Sequence, residues 1–407
     1  MIFTDANVIY EAMSKTIKST DRDRYVRQLY EVNHLLYTAM LQKSMCEETY
    51  EPTEGHKFIL KERGKTRFVT NNSMTDKVVN HMICDEILTP MLKKYLIHDN
   101  GASQKGKGVS FHRRRFEQHL RDYFRIHGDN NGFILLGDFS GYYANIRHDK
   151  ISEVLAHFFS RSEIEREDLV AAWKILCGIF KTFRVDVSRF SDEEILAMYT
   201  GKVDAMMNFG VDEYMLTGEK FLNKGVDIGN QTSQNIGVVF PFRLDNFAKI
   251  VQGIHGYGRY TDDFYAIESS REKLLALMDG LRAIAKDFGI IINERKTRIV
   301  KLSSFYRHLK NGYSLTNSGR LICKINPQSI TRERRKLKAY KRLLDAKRIT
   351  YSEIENIFKS WIGSNYKRMS RRQIFNMSEL YIELFRRRPK WKKGHSRIQW
   401  LMTHNPT

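Results

Sequence analysis

The sequence predicts an α+β fold, because helical and extended patterns alternate along its 407 residues without an internal repeat. Apolar positions recur every three or four residues over 1–50 and 74–97, which is the spacing of amphipathic helices. Short apolar runs at 133–136 and on both sides of Asp262-Asp263 predict strands. From residue 327 the chain becomes basic and helical, so we expect two or three domains, or one large domain with lobes.

In the N-terminal part, the helical pattern gives way to an extended segment over 51–70 with a turn at Gly64. After the second helical stretch, a loop at 101–110 leads into a basic helix. The strand at 133–136 ends at Gly137-Asp138. Residues 150–223 are mostly helical in pattern, but their polar section at 185–220 fits no element.

The later elements surround a second acidic turn. The predictions here are a glycine-led loop at 225–234 that opens a helix through Phe247, a hairpin around Asp262-Asp263, a helix over 271–288 and a strand over 290–292. A capping box, Ser352-x-x-Glu355, predicts the start of a further helix. Its inward positions are predicted to be Ile354, Ile357, Phe358 and Trp361. The basic C-terminal tail carries Trp391 and Trp400, which offer stacking surfaces.

The net charge of +21 and the pI near 9.7 favour a polyanionic partner. A solubility device or a membrane-surface protein would also be basic, but neither requires the clustering seen here. The four cysteines lie far apart without metal-ligand spacing, which is typical of reduced thiols. No secretory signal and no apolar run of about 18 residues is present. We therefore expect a cytoplasmic protein that does not enter membranes.

Three carboxylates carry the functional prediction. Asp138 follows one apolar strand, and the adjacent Asp262 and Asp263 lie at a strand-turn-strand tip. If the two strands are neighbours in one sheet, the three carboxylates converge and require cations. Two Mg²⁺ ions about 3.5–4 Å apart would suit in-line phosphoryl transfer. The alternative is two unrelated surface turns.

Two segments together resemble the reverse transcriptases, the RNA-directed DNA polymerases. They are GDFSGYYANI at 137–146 and RYTDD at 259–263. The resemblance covers roughly residues 55–325 in the family's motif order, and it implies a right-hand polymerase with fingers, an antiparallel palm sheet and a helical thumb. It implies that Asp138 and Asp262 bind catalytic Mg²⁺, for which Mn²⁺ can substitute. Asp263 completes the acidic cluster, and the carbonyl of Phe139 is a further ligand.

The resemblance also implies nucleotide-binding residues. Tyr143 is the steric gate whose ring excludes a ribose 2′-hydroxyl, whereas Tyr142 is interpreted as a core residue. Gly229 and Gln231 belong to the loop-to-helix motif IGNQTSQ at 228–234, which is reminiscent of diversity-generating retroelement enzymes. Lys65 and Arg67 are expected to clamp the triphosphate, the alternative being an exposed basic turn.

The remaining implied contacts are basic residues. Lys296 is placed near the incoming nucleotide, where it could protonate pyrophosphate; the alternative, only slightly less favoured, is a surface lysine. The residues expected to contact nucleic acid are Lys105, Lys107, Arg334, Arg335, Lys338, Lys341 and Lys392. The segment 304–309 occupies the place of a primer-grip hairpin.

The predicted organisation has three parts. N-terminal helices and fingers occupy 1–130, and a palm occupies 131–325 with a helical insertion at 150–223 that belongs partly to the fingers. A basic helical thumb and tail occupy 326–407. The predicted activity is cDNA synthesis from a structured noncoding RNA, with dNTPs and the RNA–DNA hybrid as partners and with either a monomer or an oligomer. Bacterial anti-phage defence is the favoured role. The alternatives are a diversity-generating retroelement enzyme, a non-catalytic RNA-binding scaffold and a template-independent terminal transferase.

Overall fold

The computed structural model describes residues 1–21, 24–62, 64–391 and 396–403. The chain forms two compact units, which are described separately. The first consists of Met1–His119 and Phe133–Ile299, and the second of Leu120–Gly132 and Val300–Thr407. Helices and antiparallel strands occur in both units, so the predicted α+β fold is confirmed. Within the described residues, no helix has the length and apolar character needed to cross a bilayer.

The first unit opens with three helices, which confirms the helical pattern predicted over 1–50. They are α1 (Ala6–Ser19), α2 (Tyr25–Val32) and α3 (His34–Cys46), preceded by a short 3₁₀ turn at Ile2–Thr4. The apolar stripe of α2 does not face the core, because Tyr25 is 74% exposed and Val32 is 83% exposed. Helix α1 supplies the buried face instead, with Ile9 and Met13 inside. The periodicity therefore predicts the helix correctly but says nothing about which face is covered.

The predicted hairpin over 51–70 is present. Strand β1 (His56–Glu62) pairs with β2 (Lys65–Asn71) in antiparallel register. The helical stretch that follows is confirmed, but it widens into a π-helical turn at its centre. Its parts are α4 (Met74–Met82), the π-helical turn (Ile83–Leu88) and α5 (Thr89–Lys93).

The middle of the chain contains the first sheet strand and the helices that follow it. In order these are α6 (Val109–His127), β3 (Phe133–Asp138), α7 (His148–Phe159) and α8 (Arg166–Thr182). The polar section at 185–220 forms a small lobe of β4 (Val185–Asp186), α9 (Asp192–Thr200), a 3₁₀ turn (Glu213–Met215) and β5 (Phe221–Leu222). Strands β4 and β5 pair, and Val187, Val203 and Leu222 form the buried core of the lobe.

A four-stranded sheet positions the acidic residues. After the small lobe, the chain continues with the helices α10 (Gln231–Val239) and α11 (Phe242–Asn246) and a π-helical turn (Phe247–Val251). It then forms β6 (Gly258–Tyr260), β7 (Asp263–Glu268), α12 (Arg271–Phe288) and β8 (Arg298–Lys301). The strand order is β6-β7-β3-β8, and β7 runs antiparallel to both β3 and β6. Gly137 of β3 leaves room for the ring of Phe264 on β7, because a Cβ there would lie 2.1 Å from that ring.

Two sequence predictions in this region are wrong. The strand expected over 290–292 does not form, and Ile292 makes only an isolated bridge with Phe139. The single helix expected through Phe247 is broken, because Pro241 caps a new helix. Proline cannot donate the backbone hydrogen bond that a continuous helix requires.

The second unit combines a three-stranded sheet with a helical bundle. The strands are β9 (Tyr306–His308), β10 (Asn311–Leu315) and β11 (Leu321–Ile325), in the order β11-β10-β9. The helices are α13 (Pro327–Asp345), α14 (Tyr351–Asn365), α15 (Arg371–Phe385) and α16 (Ser396–Thr403), with a 3₁₀ turn at Tyr366–Arg368. The hairpin expected near 304–309 is thus present as β9 and β10.

The start of α14 corrects the predicted capping box. The box is Thr350 with Glu353, two residues before Ser352 and Glu355, because the Thr350 side chain accepts from the Glu353 N–H and the Glu353 carboxylate accepts from the Thr350 N–H. Ile354 and Phe358 are fully buried as predicted, whereas Ile357 is 37% exposed.

Candidate active site

Asp138 and Asp263 face each other on neighbouring strands. Asp138 is the last residue of β3, Asp263 is the first residue of β7, and the antiparallel register pairs them directly. Paired residues project from the same face of a sheet, with Cβ atoms about 4.5–5.5 Å apart. Asp262 lies in the preceding turn, where its carbonyl accepts a 3.1 Å hydrogen bond from the N–H of Phe139. The predicted adjacency of the two strands is therefore confirmed, and the carboxylates gather at one end of the sheet.

The carboxylates are held at a high electrostatic cost. Burial raises the pKa of the Asp263 carboxyl to about 7, and the charges of Asp262 and Asp138 contribute to that rise. Burial also raises the pKa of Asp262, and the charge of Asp138 acts in the same direction. Lys296 and Lys65 oppose these shifts at both carboxyls. Positive charge is therefore what allows the cluster to ionise near neutral pH.

Lys296 and Asn293 hold Asp138. The Lys296 Nζ lies 2.6 Å from Asp138 Oδ2, and the hydrogen bond to this carboxylate is the main cause that raises the pKa of Lys296. The Asn293 side chain donates to the same oxygen at 3.1 Å, and the Asn293 N–H donates to the Asp138 carbonyl at 2.8 Å. Lys296 is thus a partner of the acidic cluster, and its predicted role toward the nucleotide stays a prediction. The sequence reasoning gave Asn293 no role.

The donor set fits a hard divalent cation. Carboxylates and a backbone carbonyl are the oxygen ligands that Mg²⁺ and Mn²⁺ prefer, and the cluster has more negative charge than its lysines balance. Among the described residues, no three His, Cys, Asp or Glu side chains are arranged to surround one ion. To share a cation, Asp138 and Asp262 would have to turn toward a common point, and Lys296 would have to release Asp138 Oδ2.

Tyr143 lies close to the carboxylates. It begins a 3₁₀ turn (Tyr143–Asn145), and burial, followed by the charge of Asp262, raises the pKa of its hydroxyl to about 12. Tyr142 is buried, and its hydroxyl donates to the Gly237 carbonyl at 2.8 Å. The interpretation of Tyr142 as a core residue is confirmed, and the role of Tyr143 toward the sugar remains a prediction.

The two basic residues of the hairpin differ in their surroundings. Lys65 is exposed at the start of β2, and its charge reaches the acidic cluster, because it lowers the pKa of both Asp262 and Asp263. Arg67 instead faces Glu62, with its Nη1 3.4 Å from Glu62 Oε2. The structure therefore brings Lys65 toward the carboxylates and pairs Arg67 within the hairpin.

The loop before α10 packs against the hairpin. Gly229 has a φ of +114°, and a Cβ at this position would lie 2.5 Å from the Thr70 carbonyl oxygen. The Thr70 N–H donates to the Ile228 carbonyl at 2.8 Å. The absence of a side chain at Gly229 therefore lets β2 of the chain itself approach the loop closely. Gln231 begins α10 and donates to Asp85 at 3.4 Å.

The residues predicted to contact nucleic acid are not equally accessible. Lys105 is exposed, whereas Lys107 is half-buried and its Nζ donates to the carbonyls of His98 and Asn100 at 2.8 and 3.2 Å. Lys107 therefore supports its own loop.

The predicted contacts on α13 belong to the second unit. Arg334, Arg335 and Lys338 are exposed, and Lys341 lies 2.5 Å from Asp345. Lys392 lies outside the described residues.

Two further residues at the acidic turn had no predicted role. Arg259 is fully buried, and its guanidinium pairs with the buried carboxylate of Asp245 and also donates to the Thr261 carbonyl. The position of Arg259 beside the Tyr-x-Asp-Asp segment could have drawn attention to it. No spacing or periodicity links it to Asp245.

Comparison with known proteins identifies the family. Residues 59–330, more than half of the chain, match the profile of the reverse transcriptase (RNA-dependent DNA polymerase) family. No curated protein matches the chain at a significant level.

Three solved structures show limited similarity. A truncated apo telomerase from Candida tropicalis is 11% identical, with a TM-score of 0.45, over 66% of this chain and 54% of that chain. Telomerase from Candida albicans in complex with a fragment of telomeric RNA is 11% identical, with a TM-score of 0.44, over 88% and 65%. A second apo telomerase from Candida tropicalis is 11% identical, with a TM-score of 0.47, over 82% and 63%. The chain thus spans less than two thirds of each of these proteins. By the family match, the chain belongs to the reverse transcriptases.

Proposed function

We propose that the chain is an RNA-directed DNA polymerase that makes cDNA from a structured RNA by two-metal phosphoryl transfer. The observation that supports this most is the register of β3 and β7, which places Asp138 opposite Asp263 inside the region that matches the family. An acidic pair with one carboxylate buried and the other half-buried is costly, and a protein that only binds RNA has no need of it. A metal-dependent reaction would account for the cluster, because bound cations offset the repulsion between its carboxylates.

Each residue of the site has a proposed role. Asp138 and Asp262 would hold two Mg²⁺ ions, or Mn²⁺ as a substitute, with Asp263 and the Phe139 carbonyl completing the set. When bound, the ions would activate the primer 3′-hydroxyl and stabilise charge on the leaving pyrophosphate. Lys65 would bring positive charge to the site, and Lys296 would donate a proton to the leaving pyrophosphate once it leaves Asp138. The Tyr143 ring would exclude a ribose 2′-hydroxyl by its volume.

The remaining nucleotide contacts are those that the resemblance to the family implies. Gly229, Gln231 and Arg67 would contribute to the pocket for the incoming dNTP, and Lys105 and Lys107 to template binding. We propose that 1–130 forms the N-terminal helices and fingers, 131–325 the palm and 326–407 the thumb. The exposed basic residues of α13 would then contact the RNA–DNA hybrid.

For the biological role, we propose bacterial anti-phage defence with a noncoding RNA, acting in the cytoplasm. The chain continues for more than 70 residues beyond the family match, which ends at residue 330, and Lys and Arg outnumber Asp and Glu in this extension. Such an extension offers a surface for a dedicated RNA. Plating phage on cells that express the wild type or Asp262→Ala, and sequencing the nucleic acids that copurify, tests this. Equal plating would exclude the defence role, and a template repeat among the bound RNAs would favour a diversity-generating retroelement enzyme.

The polymerase activity itself is tested by incorporation of labelled dNTPs on a primed RNA template. We expect incorporation by the wild type, its loss in Asp262→Ala, and its loss when the template is omitted. Equal incorporation by both proteins would refute the assignment of the site. Incorporation without template would indicate a terminal transferase, and no incorporation by the wild type under varied metal and template conditions would favour the scaffold alternative.

A further inference from the structure

Arg259 is the largest side chain that the first unit buries completely. It lies in the middle of β6, two residues before the turn that carries Asp262 and Asp263, and it is 0% exposed. Arginine is rarely buried in this way unless its charge is paired and its N–H groups are satisfied. Its surroundings therefore indicate what the buried charge does.

A buried carboxylate holds the guanidinium in two places. Arg259 Nε and Nη2 lie 2.8 and 2.7 Å from the two carboxylate oxygens of Asp245, which is 1% exposed. The Tyr257 hydroxyl donates to the same carboxylate at 2.8 Å. This bidentate geometry fixes the plane of the guanidinium as well as its position.

The same guanidinium also forms a hydrogen bond with the turn before Asp262. Its Nη1 donates to the Thr261 carbonyl at 2.8 Å, and its Nη2 donates to the Val238 carbonyl on α10 at 2.7 Å. The Thr261 carbonyl belongs to the peptide that joins Thr261 to Asp262. One planar group therefore ties the turn to α10 and, through Asp245, to α11.

The turn needs such a restraint because its backbone is strained. Thr261 has a φ of +56°, a left-handed conformation that is unfavourable for a β-branched residue and persists only where the surroundings enforce it. The main chain of Arg259 is itself anchored, because its N–H donates to the Asp99 carbonyl at 3.2 Å and its carbonyl accepts from the Gly101 N–H at 3.0 Å. The backbone of Arg259 is thus held in place, and this restricts where its guanidinium can lie.

We propose that the Arg259–Asp245 pair is a positioning element of the metal site, because it fixes the Thr261–Asp262 peptide in the orientation that delivers both turn carboxylates to the end of β3. This inference rests on the proposed function of the site. Stability alone is a poor reason for the pair, since a buried ion pair can often be replaced by apolar residues without loss. Apolar residues could not hold the Thr261 carbonyl.

Direct Mn²⁺ binding tests the proposal without using activity. The full chain is titrated with Mn²⁺, and free Mn²⁺ is measured by electron paramagnetic resonance. In Arg259→Lys the charge opposite Asp245 is kept, but the planar fork whose separate nitrogens reach Asp245 and the Thr261 carbonyl is replaced by a single ammonium nitrogen on a flexible chain. Tyr257→Phe is the matched control, because it removes a buried hydrogen bond to the same carboxylate but does not touch the turn.

We expect Arg259→Lys to weaken Mn²⁺ binding by about tenfold or more, in the range found when an outer partner of a metal ligand is removed, and Tyr257→Phe to change it by less than about twofold. Equal changes in the two variants, or no change in either, would overturn the proposal. If Arg259→Lys does not fold, Asp245→Glu replaces it, because this variant keeps the pair and shifts the guanidinium by one methylene. It should weaken binding as well, and unchanged binding would overturn the proposal.

The variant Asp262→Ala distinguishes a failure of this inference from a failure of the proposed function. We expect this variant to lose the Mn²⁺ binding of the wild type. If the wild type and Asp262→Ala bind Mn²⁺ equally, the metal site itself is wrongly assigned, whatever Arg259 does.

Discussion

At the scale of single residues, the site combines carboxylates whose negative charge is only partly balanced with neighbouring side chains that hold these carboxylates in place. Asp263 is the clearest example, because its burial and its two acidic neighbours raise its pKa to about 7. Lys296 and Asn293 hold the Asp138 side chain, and Arg259 holds the turn that carries Asp262. The backbone that carries the carboxylates is thus held in place, so that cation binding would require only side chains to rearrange: those of Asp138, Asp262 and Lys296.

Gly237 sets the space available to Tyr143. A Cβ at residue 237 would lie 2.7 Å from the Tyr143 hydroxyl oxygen and 2.9 Å from its Cζ atom. Gly237→Ala should therefore displace the ring that is proposed to select the sugar, and kcat/KM for dNTPs should fall by about tenfold to a hundredfold, as expected for misplacement of a substrate-contacting group. Steady-state kinetics with dNTPs and with rNTPs would measure this effect and any change in sugar selection.

Gly363→Ala is the control for that experiment. Gly363 lies within α14, and a Cβ there would meet nothing within 4 Å. We expect this variant to retain wild-type kinetics and to gain up to about 1 kcal/mol in the free energy of unfolding, because alanine is favoured over glycine in helices. Unchanged kinetics in Gly237→Ala would contradict the proposed role of Tyr143.

His112 should make the stability depend on pH. It is fully buried, with its ring edge-on to Tyr265, and burial lowers its pKa to about 4. Because the folded state keeps His112 neutral while the unfolded state binds a proton below about pH 6.5, the free energy of unfolding should fall as the pH drops from 6.5 toward 4, by at most about 1.4 kcal/mol per pH unit from this group.

Urea unfolding at several pH values checks this expectation. His112→Gln should flatten the dependence between pH 6.5 and 4, whereas the same change at the exposed His127 should leave it as in the wild type. If the two variants behave alike, His112 does not remain neutral in the folded protein.

At the scale of elements, the contact between the β1–β2 hairpin and the loop before α10 depends on Gly229. Gly229→Ala would place a Cβ 2.5 Å from the Thr70 carbonyl oxygen, at a φ of +114° that alanine rarely adopts. We expect a loss of about 1–3 kcal/mol in the free energy of unfolding, as for other overpacked sites. Hydrogen exchange should rise in the hairpin over 56–71.

A matched control lies in the same hairpin. Gly64 also has a positive φ, +77°, but a Cβ there would meet nothing within 4 Å. Gly64→Asn should therefore leave the exchange of the hairpin nearly unchanged, because asparagine tolerates left-handed backbone. Similar exchange in Gly229→Ala and the wild type would show that the loop does not hold the hairpin.

The elements also show what sequence reasoning can reach. Helix α12 and strand β3 begin and end close to their predicted bounds. The helix has a strong apolar periodicity and a serine cap, and the strand is a continuous apolar run that ends at Asp138. The predicted start of α14 is wrong because Thr350-x-x-Glu353 and Ser352-x-x-Glu355 both satisfy the capping pattern, and only the fold selects between them. The strand expected at 290–292 does not form because its apolar run makes one bridge rather than a ladder.

The candidate site is partly accessible to the same reasoning. The acidic residues belong to short contiguous motifs, so their types and order are visible in the sequence. The Arg259–Asp245 pair joins residues 14 positions apart on different elements, and nothing in local periodicity encodes it. The burial of Lys107 likewise depends on the fold of its loop.

At the scale of the whole molecule, the charge of +21 should make nucleic-acid binding strongly dependent on salt. A protein that binds six to ten phosphates loses about 10³–10⁵ in affinity between 50 and 200 mM salt. We expect an RNA–DNA hybrid to follow this behaviour. Replacing Arg334, Arg335 and Lys338 by alanine should reduce the slope of log K against log salt by about one for each phosphate that the variant no longer neutralises.

Fluorescence anisotropy across a salt series measures the slope. Three exposed lysines of the first unit, Lys18, Lys43 and Lys174, provide a control with the same change in net charge. A similar slope for the two triple variants would mean that α13 is not a specific binding surface, and that only the overall charge attracts the polyanion.

Anomalous diffraction at the manganese edge tests the central claim most directly, with crystals of the full chain bound to an RNA–DNA hybrid, a matching dNTP and Mn²⁺. We predict an anomalous peak about 2.0–2.3 Å from carboxylate oxygens of both Asp138 and Asp262, with Lys296 moved away from Asp138. Manganese bound elsewhere, with Lys296 still paired to Asp138 while hybrid and dNTP are in place, would contradict the account.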